Sequence, residues 1–216
     1  MKILAVDTAL GACSVALLDD DRVLAHRFSL MERGHAEALA PMVEDALKQA
    51  GGALAELDRL GATVGPGAFT GQRIGLAFMR GLRLALERPL IGVTTLAAMA
   101  EAAKAETGLP RAIAINDAKR DEVYIELESS RAPSVLGFAE AIAALAEQPG
   151  VEPIALAGTA ASRACEALSN RFRLSSIRQP DALWVARLAL KAEPSEMAPR
   201  PLYLRAPDAK LPAQSP

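Results

Sequence analysis

The stretch Gly65-Pro-Gly-Ala-Phe-Thr-Gly-Gln-Arg-Ile-Gly75 constrains this chain more than any other. It follows a short β-type run, Leu60-Gly-Ala-Thr-Val64, and flows into a helical pattern that lasts to about Leu86 and stops before Pro89. A strand that turns through glycines straight into a helix belongs to an α/β architecture. Two readings of the loop are open. Its helix-start N–H groups can converge on an anion with help from Arg73, which makes Gly65, Gly67, Thr70, Gly71 and Arg73 candidate loop residues. Alternatively it is a tight turn in which Gly71 and Gly75 permit close packing. It is not a Walker loop, because Gln72 follows Gly71 and no Gly-Lys-Ser/Thr is present; Thr70 stands where a dinucleotide fingerprint needs its third glycine.

The same alternation extends in both directions. Ile3–Val6, Cys13–Leu18 and Val23–Phe28 read as strands joined by the small turn after Asp7 and the acidic turn Asp19-Asp-Asp-Arg22, which predicts an antiparallel meander. Leu39, Met42, Val43, Ala46 and Leu47 then fall at helical spacing up to Gly51-Gly52, with Pro41 leaving the start of that helix open. Leu90–Val93 predicts a strand, and Leu96 to about Glu106 a helix. The pattern begins again at Arg111, with strands at Ala112–Ile115, Glu122–Leu127, Ile154–Ala157 and Phe172–Ile177 and helices at Phe138–Glu147, Thr159–Leu168 and Asp181–Ala192. The expected organisation is a first lobe over 1–109, a smaller α/β lobe over 110–193, and a proline-rich tail over 194–216 lying extended on another surface.

Twenty-four basic against twenty-six acidic residues leave a net charge of -2, so no whole-chain field draws the protein to nucleic acid or an anionic membrane. Cys13 and Cys165 are too few for a disulfide framework and fit a reducing cytoplasm; Asp7 breaks the first apolar run, so no signal peptide is expected. Asp7, at the end of the first strand, either caps the following turn or touches a ligand. His35 has Leu39 rather than a second histidine four residues on, so no helical metal pair forms and no metal site is expected. No Gly-x-Ser-x-Gly is present, and neither histidine sits in a triad context. Arg80, Arg83 and Arg88 read either as an RNA patch or as a solvated face. The helix after the glycine loop is apolar on more than one side, as Ile74, Phe78, Met79, Leu82, Leu84 and Leu86 show. Either it is fully buried or a protein partner covers part of it.

Val6-Asp-Thr, Gly34-His-Ala-Glu-Ala-Leu-Ala-Pro41, Val64 to Gly75, Asp117-Ala-Lys-Arg-Asp-Glu-Val-Tyr124 and Pro201-Leu-Tyr-Leu-Arg205 together resemble the TsaB family, which bacteria require for threonylcarbamoyladenosine at tRNA position 37. Ala68 and Gln72 depart mildly from that pattern. The resemblance implies an actin-like fold of the sugar kinase and heat-shock ATPase class, two lobes each with a mixed sheet flanked by helices, and a tail returning to the first lobe. It implies a non-catalytic subunit that supports a TsaD-type catalytic paralogue. ATP and metal are then expected on partner subunits, none being intrinsic. A TsaE-type ATPase is expected to join, a homodimer to form when the chain is alone, and tRNA to be met only through the complex. The expected partner interface comprises His35, Leu39, Met42, Phe78, Met79, Leu82 and Arg83. The alternative is an independent ATP-binding enzyme that uses Asp7 and the Gly65–Gly71 loop.

Overall fold

A computed structural model describes residues 1–127, 130 and 132–205. Strands β1 (Lys2–Asp7), β2 (Ala12–Asp19) and β3 (Arg22–Leu30) form the predicted antiparallel meander. Helix α1 (His35–Ala50) follows, then β4 (Arg59–Gly65), α2 (Phe69–Leu86), β5 (Leu90–Thr94) and α3 (Thr95–Thr107). Because β4 joins β1 in parallel and β5 joins β4 in parallel, the first sheet has the order β3-β2-β1-β4-β5. Side chains alternate along β1: Leu4 and Val6 pack under α1 and α2, while Ile3 and Ala5 face the opposite layer. Pro41 sits inside α1, exposed, and the helix runs through it to a left-handed cap at Gly51, beyond which the Gly52 N–H donates to Leu47 at 3.2 Å.

The second sheet has the order β10-β9-β6-β7-β8, built from β6 (Ala112–Asp117), β7 (Glu122–Ile125), β8 (Ser134–Gly137), β9 (Ile154–Ala157) and β10 (Phe172–Leu174). Helices α4 (Phe138–Ala146) and α5 (Ala161–Ala167) cover one of its faces through Phe138, Ala141, Leu145, Ala161 and Ala164. The other face meets α3 through Leu96, Met99 and Ala103. Helix α3 also packs on the first sheet through Ala98. Its alanine-rich sequence, Thr95-Leu-Ala-Ala-Met-Ala-Glu-Ala-Ala, suits a helix shared by two lobes, since small side chains let both sheets approach.

Three details differ from the sequence reading. β8 was not predicted, because its four residues are only half-buried and merge with the apolar run leading into α4. β10 ends at Leu174 rather than Ile177: the Ser175 N–H still donates to Leu156 of β9 at 2.9 Å, but the Ser175 hydroxyl and the Ser176 N–H, the latter at 3.0 Å, turn to the Glu106 carboxylate. Helix α6 (Ala182–Lys191) follows the second lobe in sequence but packs on the first sheet, where Val185, Ala186 and Ala189 lie against Ile3, Ala5, Ala16 and Leu18. Gly61 makes that approach possible: a Cβ there would stand 3.3 Å from those of Ala189 and Ala5. Arg59 closes the end of α6, donating from Nη1 to the carbonyls of Ala189, Leu190 and Ala192 at 2.7, 3.1 and 2.8 Å.

Arg59→Met keeps the apolar stem but removes that cap. It is expected to cost about 2 kcal/mol, read as a lower urea midpoint with an unchanged slope.

Candidate functional site

The β1–β2 turn carries the candidate carboxylate Asp7, most of whose contacts come from within the chain. Asp7 is fully buried; its Oδ1 accepts from Thr63 Oγ1 at 2.6 Å and from the Ala9 N–H at 3.2 Å, while Oδ2 has no partner among the described residues. Burial pushes this carboxyl up to about 7 against the pull of those two donors, and nearby Asp181 adds to the rise. The Gly11 N–H, a donor of this turn, is taken by Gln179 Oε1 at 2.8 Å. His35 at the head of α1 is buried, with Nε2 3.0 Å from the Leu10 carbonyl, so it anchors the helix to this turn and is not available to a partner. Asp181 caps α6, accepting from the Leu183 N–H at 2.8 Å, and pairs with His26 at 2.7 Å.

The glycine loop is packed against the same turn. A Cβ at Gly71 would stand 2.3 Å from the Thr8 carbonyl oxygen and one at Gly67 2.4 Å from that of Ala9. Thr8 Oγ1 donates to the Gly71 carbonyl at 2.7 Å and accepts the Gly75 N–H at 2.9 Å, inserting a hydroxyl between two groups that a regular helical turn would join directly. The Ala68 N–H donates to the Ala9 carbonyl at 2.8 Å. Of the two readings of the loop, close packing is therefore the one that the contacts support. Gly65 and Gly71 are buried, Thr70 is exposed, and no side chain caps α2. Among the described residues no three His, Cys, Asp or Glu side chains cluster as metal ligands do. The residues at this turn do not fit a nucleotide–metal complex. Burial pushes the Cys13 thiol up to about 11 and raises that of Cys165, which makes both poor nucleophiles.

Between the lobes lies a cleft of about 750 Å³, walled by the glycine loop, the β6–β7 turn and the tail. Arg73 stacks its guanidinium 3.6 Å from the Phe69 ring centroid and 5.4 Å from that of Tyr203, and its Nε donates to the Tyr203 hydroxyl at 2.5 Å. The tail runs along α2. Arg83 donates to the Glu196 carbonyl at 2.7 Å, Arg80 to that of Pro199 at 2.6 and 3.1 Å, and the Leu202 N–H to Val64 at 2.7 Å. Arg80 and Arg83 thus bind the chain's own carbonyls, a role that neither sequence reading assigned to them.

The residues expected at a partner interface divide sharply. Leu39 and Met79 lie in the core between the first sheet and its two helices, at 1% and 0% exposure, and so cannot meet a partner. Met42, Phe78 and Leu82 are partly buried against that core, and Arg83 is held by the tail. Beyond Phe69 at its start, the apolar surface of α2 that remains open is Ala77, Gly81, Leu84 and Ala85, with Leu84 76% exposed. A shallow groove runs beside it between Arg73, Arg80, Pro201 and Tyr203. Sequence reasoning missed Thr63 and Gln179, gave Thr8 no role, and left Leu84 out of the expected interface although it counted it among the surplus apolar residues of the helix. Thr8 was signalled by its place next to Asp7, whereas Gln179, 168 residues from Gly11, had no local signal. No helix among the described residues is long and apolar enough to cross a membrane.

Comparison with known proteins agrees with this fold. The model of the family described as TsaD, tRNA N6-adenosine threonylcarbamoyltransferase, matches residues 28–160. The tRNA threonylcarbamoyladenosine biosynthesis protein TsaB of Escherichia coli is 48% identical over 124 residues, 57% of this chain and 53% of that protein. The match thus spans about half the length of that relative. The structure of YeaZ from Pseudomonas aeruginosa superposes with a TM-score of 0.76 at 35% identity, over 94% of this chain and 99% of that one. Component A of the (R)-2-hydroxyglutaryl-CoA dehydratase of Acidaminococcus fermentans shares the actin-like fold alone, at a TM-score of 0.51 and 12% identity over 88% of this chain and 98% of that one.

Two measurements follow from the turn. Asp7 takes up its proton in the folded state at higher pH than its ordinary value near 3.8 allows, so its contribution to stability falls as pH rises from about 4 to about 7. That loss is on the order of 4 kcal/mol. Asp7→Asn is expected to flatten this slope and to raise the melting temperature at pH 8, with little change at pH 4. Gly71→Ala is expected to cost more than about 2 kcal/mol. Gly81→Ala, where a Cβ meets nothing within 4 Å, is expected to add stability, by about 1 kcal/mol. Thermal and chemical denaturation of both variants check the pair.

Proposed function

The chain belongs to the TsaB family of tRNA threonylcarbamoyladenosine biosynthesis proteins, and on that premise we propose that it is a non-catalytic subunit which supports a TsaD-type paralogue. The observation that carries this reading is the β1–β2 turn, whose Gly11 N–H is bound by Gln179 of the same chain. A turn filled in this way keeps the actin-like framework while giving up its phosphate receptor. The core position of Leu39 supports the same reading, since the helix that would carry a metal pair devotes that position to packing.

The surface offered to the partner is the open side of α2. Ala77, Gly81 and Ala85 have little or no side chain there, so a partner helix can approach the backbone closely, and Leu84 supplies an apolar anchor. In this reading ATP and metal are handled by the partner subunits, a TsaE-type ATPase joins the assembly, and tRNA is bound through the complex, in keeping with the net charge of -2. Without the paralogue the same face pairs two copies of the chain, in the cytoplasm.

Leu84→Asp combined with Ala77→Arg tests the surface, because both positions are exposed and neither supports the core. Light scattering after size exclusion, on the chain mixed with the TsaD-type paralogue, is expected to show a one-to-one complex for the wild type and separate species for the variant. The variant is expected to keep the wild-type melting temperature. A variant that still forms the complex removes α2 from the interface.

A further inference from the structure

The motif Pro201-Leu-Tyr-Leu-Arg205 has no part in the partner reading, yet it makes a continuous set of contacts across both lobes. On the first lobe the Leu202 N–H donates to Val64 at the end of β4, and the Tyr203 hydroxyl accepts from Arg73. Just upstream, Pro199 fills the space over β5 that Gly92 leaves, where a Cβ would stand 2.7 Å from that of Pro199. Two residues beyond Tyr203 the chain reaches the second lobe. There Arg205 Nη1 donates to the Ala118 carbonyl, and its Nε lies 3.3 Å from Glu122 Oε2. The Arg205 side chain is only 19% exposed, and Glu122 Oε2 is buried with no geometrically regular hydrogen bond.

We propose that Pro201–Arg205 is a strap that fixes the angle between the two lobes, with Arg205 as its latch. The chain itself crosses between the lobes at two other places, through α3 and through the segment from β10 to α6, and both are packed or peptide-bonded along their length. The strap differs in kind, because among the described residues its polar contacts with the second lobe run through the Arg205 side chain. Its receptor is built for that contact: Lys119, Arg120 and Asp121 follow Ala118 in consecutive left-handed conformations, with φ of 65°, 54° and 59°. Such a run is costly for residues with a Cβ. It wraps the turn so that the Glu122 N–H bonds Lys119 and the Ala118 N–H bonds Glu122, while the Ala118 carbonyl is left to receive Arg205. Leu202, Tyr203, Leu204 and Arg205 then form one wall of the 750 Å³ cleft, so releasing the latch widens the cleft and frees the β6–β7 turn.

The test places spin labels on exposed positions of the two lobes, Glu44→Cys in α1 and Glu140→Cys in α4, in a Cys165→Ser background. Wild-type protein is expected to give one narrow interlobe distance. Arg205→Ala is expected to broaden the distribution toward longer distances and to speed hydrogen exchange at the Leu202 amide, with the helix content unchanged. Glu122→Gln keeps the carbonyl bond and removes the ion pair, so an intermediate broadening is expected; it also carries the test if Arg205→Ala does not fold. A distribution and an exchange rate that match wild type in a folded variant overturn the proposal.

Discussion

The Thr8 hydroxyl, held between the carbonyl of Gly71 and the amide of Gly75, is the contact on which the rest of the first lobe depends. It requires α2 to lie directly on the β1–β2 turn, and that requires glycine at three positions spaced four apart: 67, 71 and 75. Once α2 is seated there, its buried stripe of Leu76 and Met79 meets Leu39 and Val43 of α1 over the first sheet. The opposite stripe is left facing outward. One packing constraint thus places both the core and the surface that the functional reading uses.

The same contact accounts for the close packing of the glycine-rich loop. Backbone N–H groups can hold a phosphate only where nothing else fills the space in front of them. The Thr8 and Ala9 carbonyls lie against the loop, Ala9 accepting the Ala68 N–H, and Gln179 reaches across from the segment before α6 to take the Gly11 N–H. Asp7 is left as a buried carboxyl, and that burial, against the pull of the Thr63 and Ala9 donors, is why its proton is held up to about pH 7.

Much of this was legible in the sequence, because the alternation of apolar runs and the glycine loop are local signals. The meander, α1, α2, β9 and the order of elements apart from β8 come from such signals. What escaped depends on distance along the chain. The periodicity of α6 shows an apolar stripe but not which sheet receives it; Gly61, more than a hundred residues earlier, decides that. Periodicity likewise could not tell Met79 from Leu84 on α2. Both are apolar, and only the placement of the sheet makes one of them core and the other surface. The arginines of α2 read as a charged face because their partners are backbone carbonyls of the tail, which carry no sequence signature.

The central claim is that this chain acts on tRNA modification through a partner and performs no chemistry of its own. Its most direct test is to titrate the chain into a fixed amount of the TsaD-type paralogue, with ATP, threonine, bicarbonate, the enzyme that makes the adenylate, the TsaE-type ATPase and tRNA, and to quantify the modified nucleoside by mass spectrometry. The account predicts that product rises with added chain and reaches its plateau at one chain per paralogue. Product formed without the chain, or formed by the chain with the paralogue left out, would contradict it.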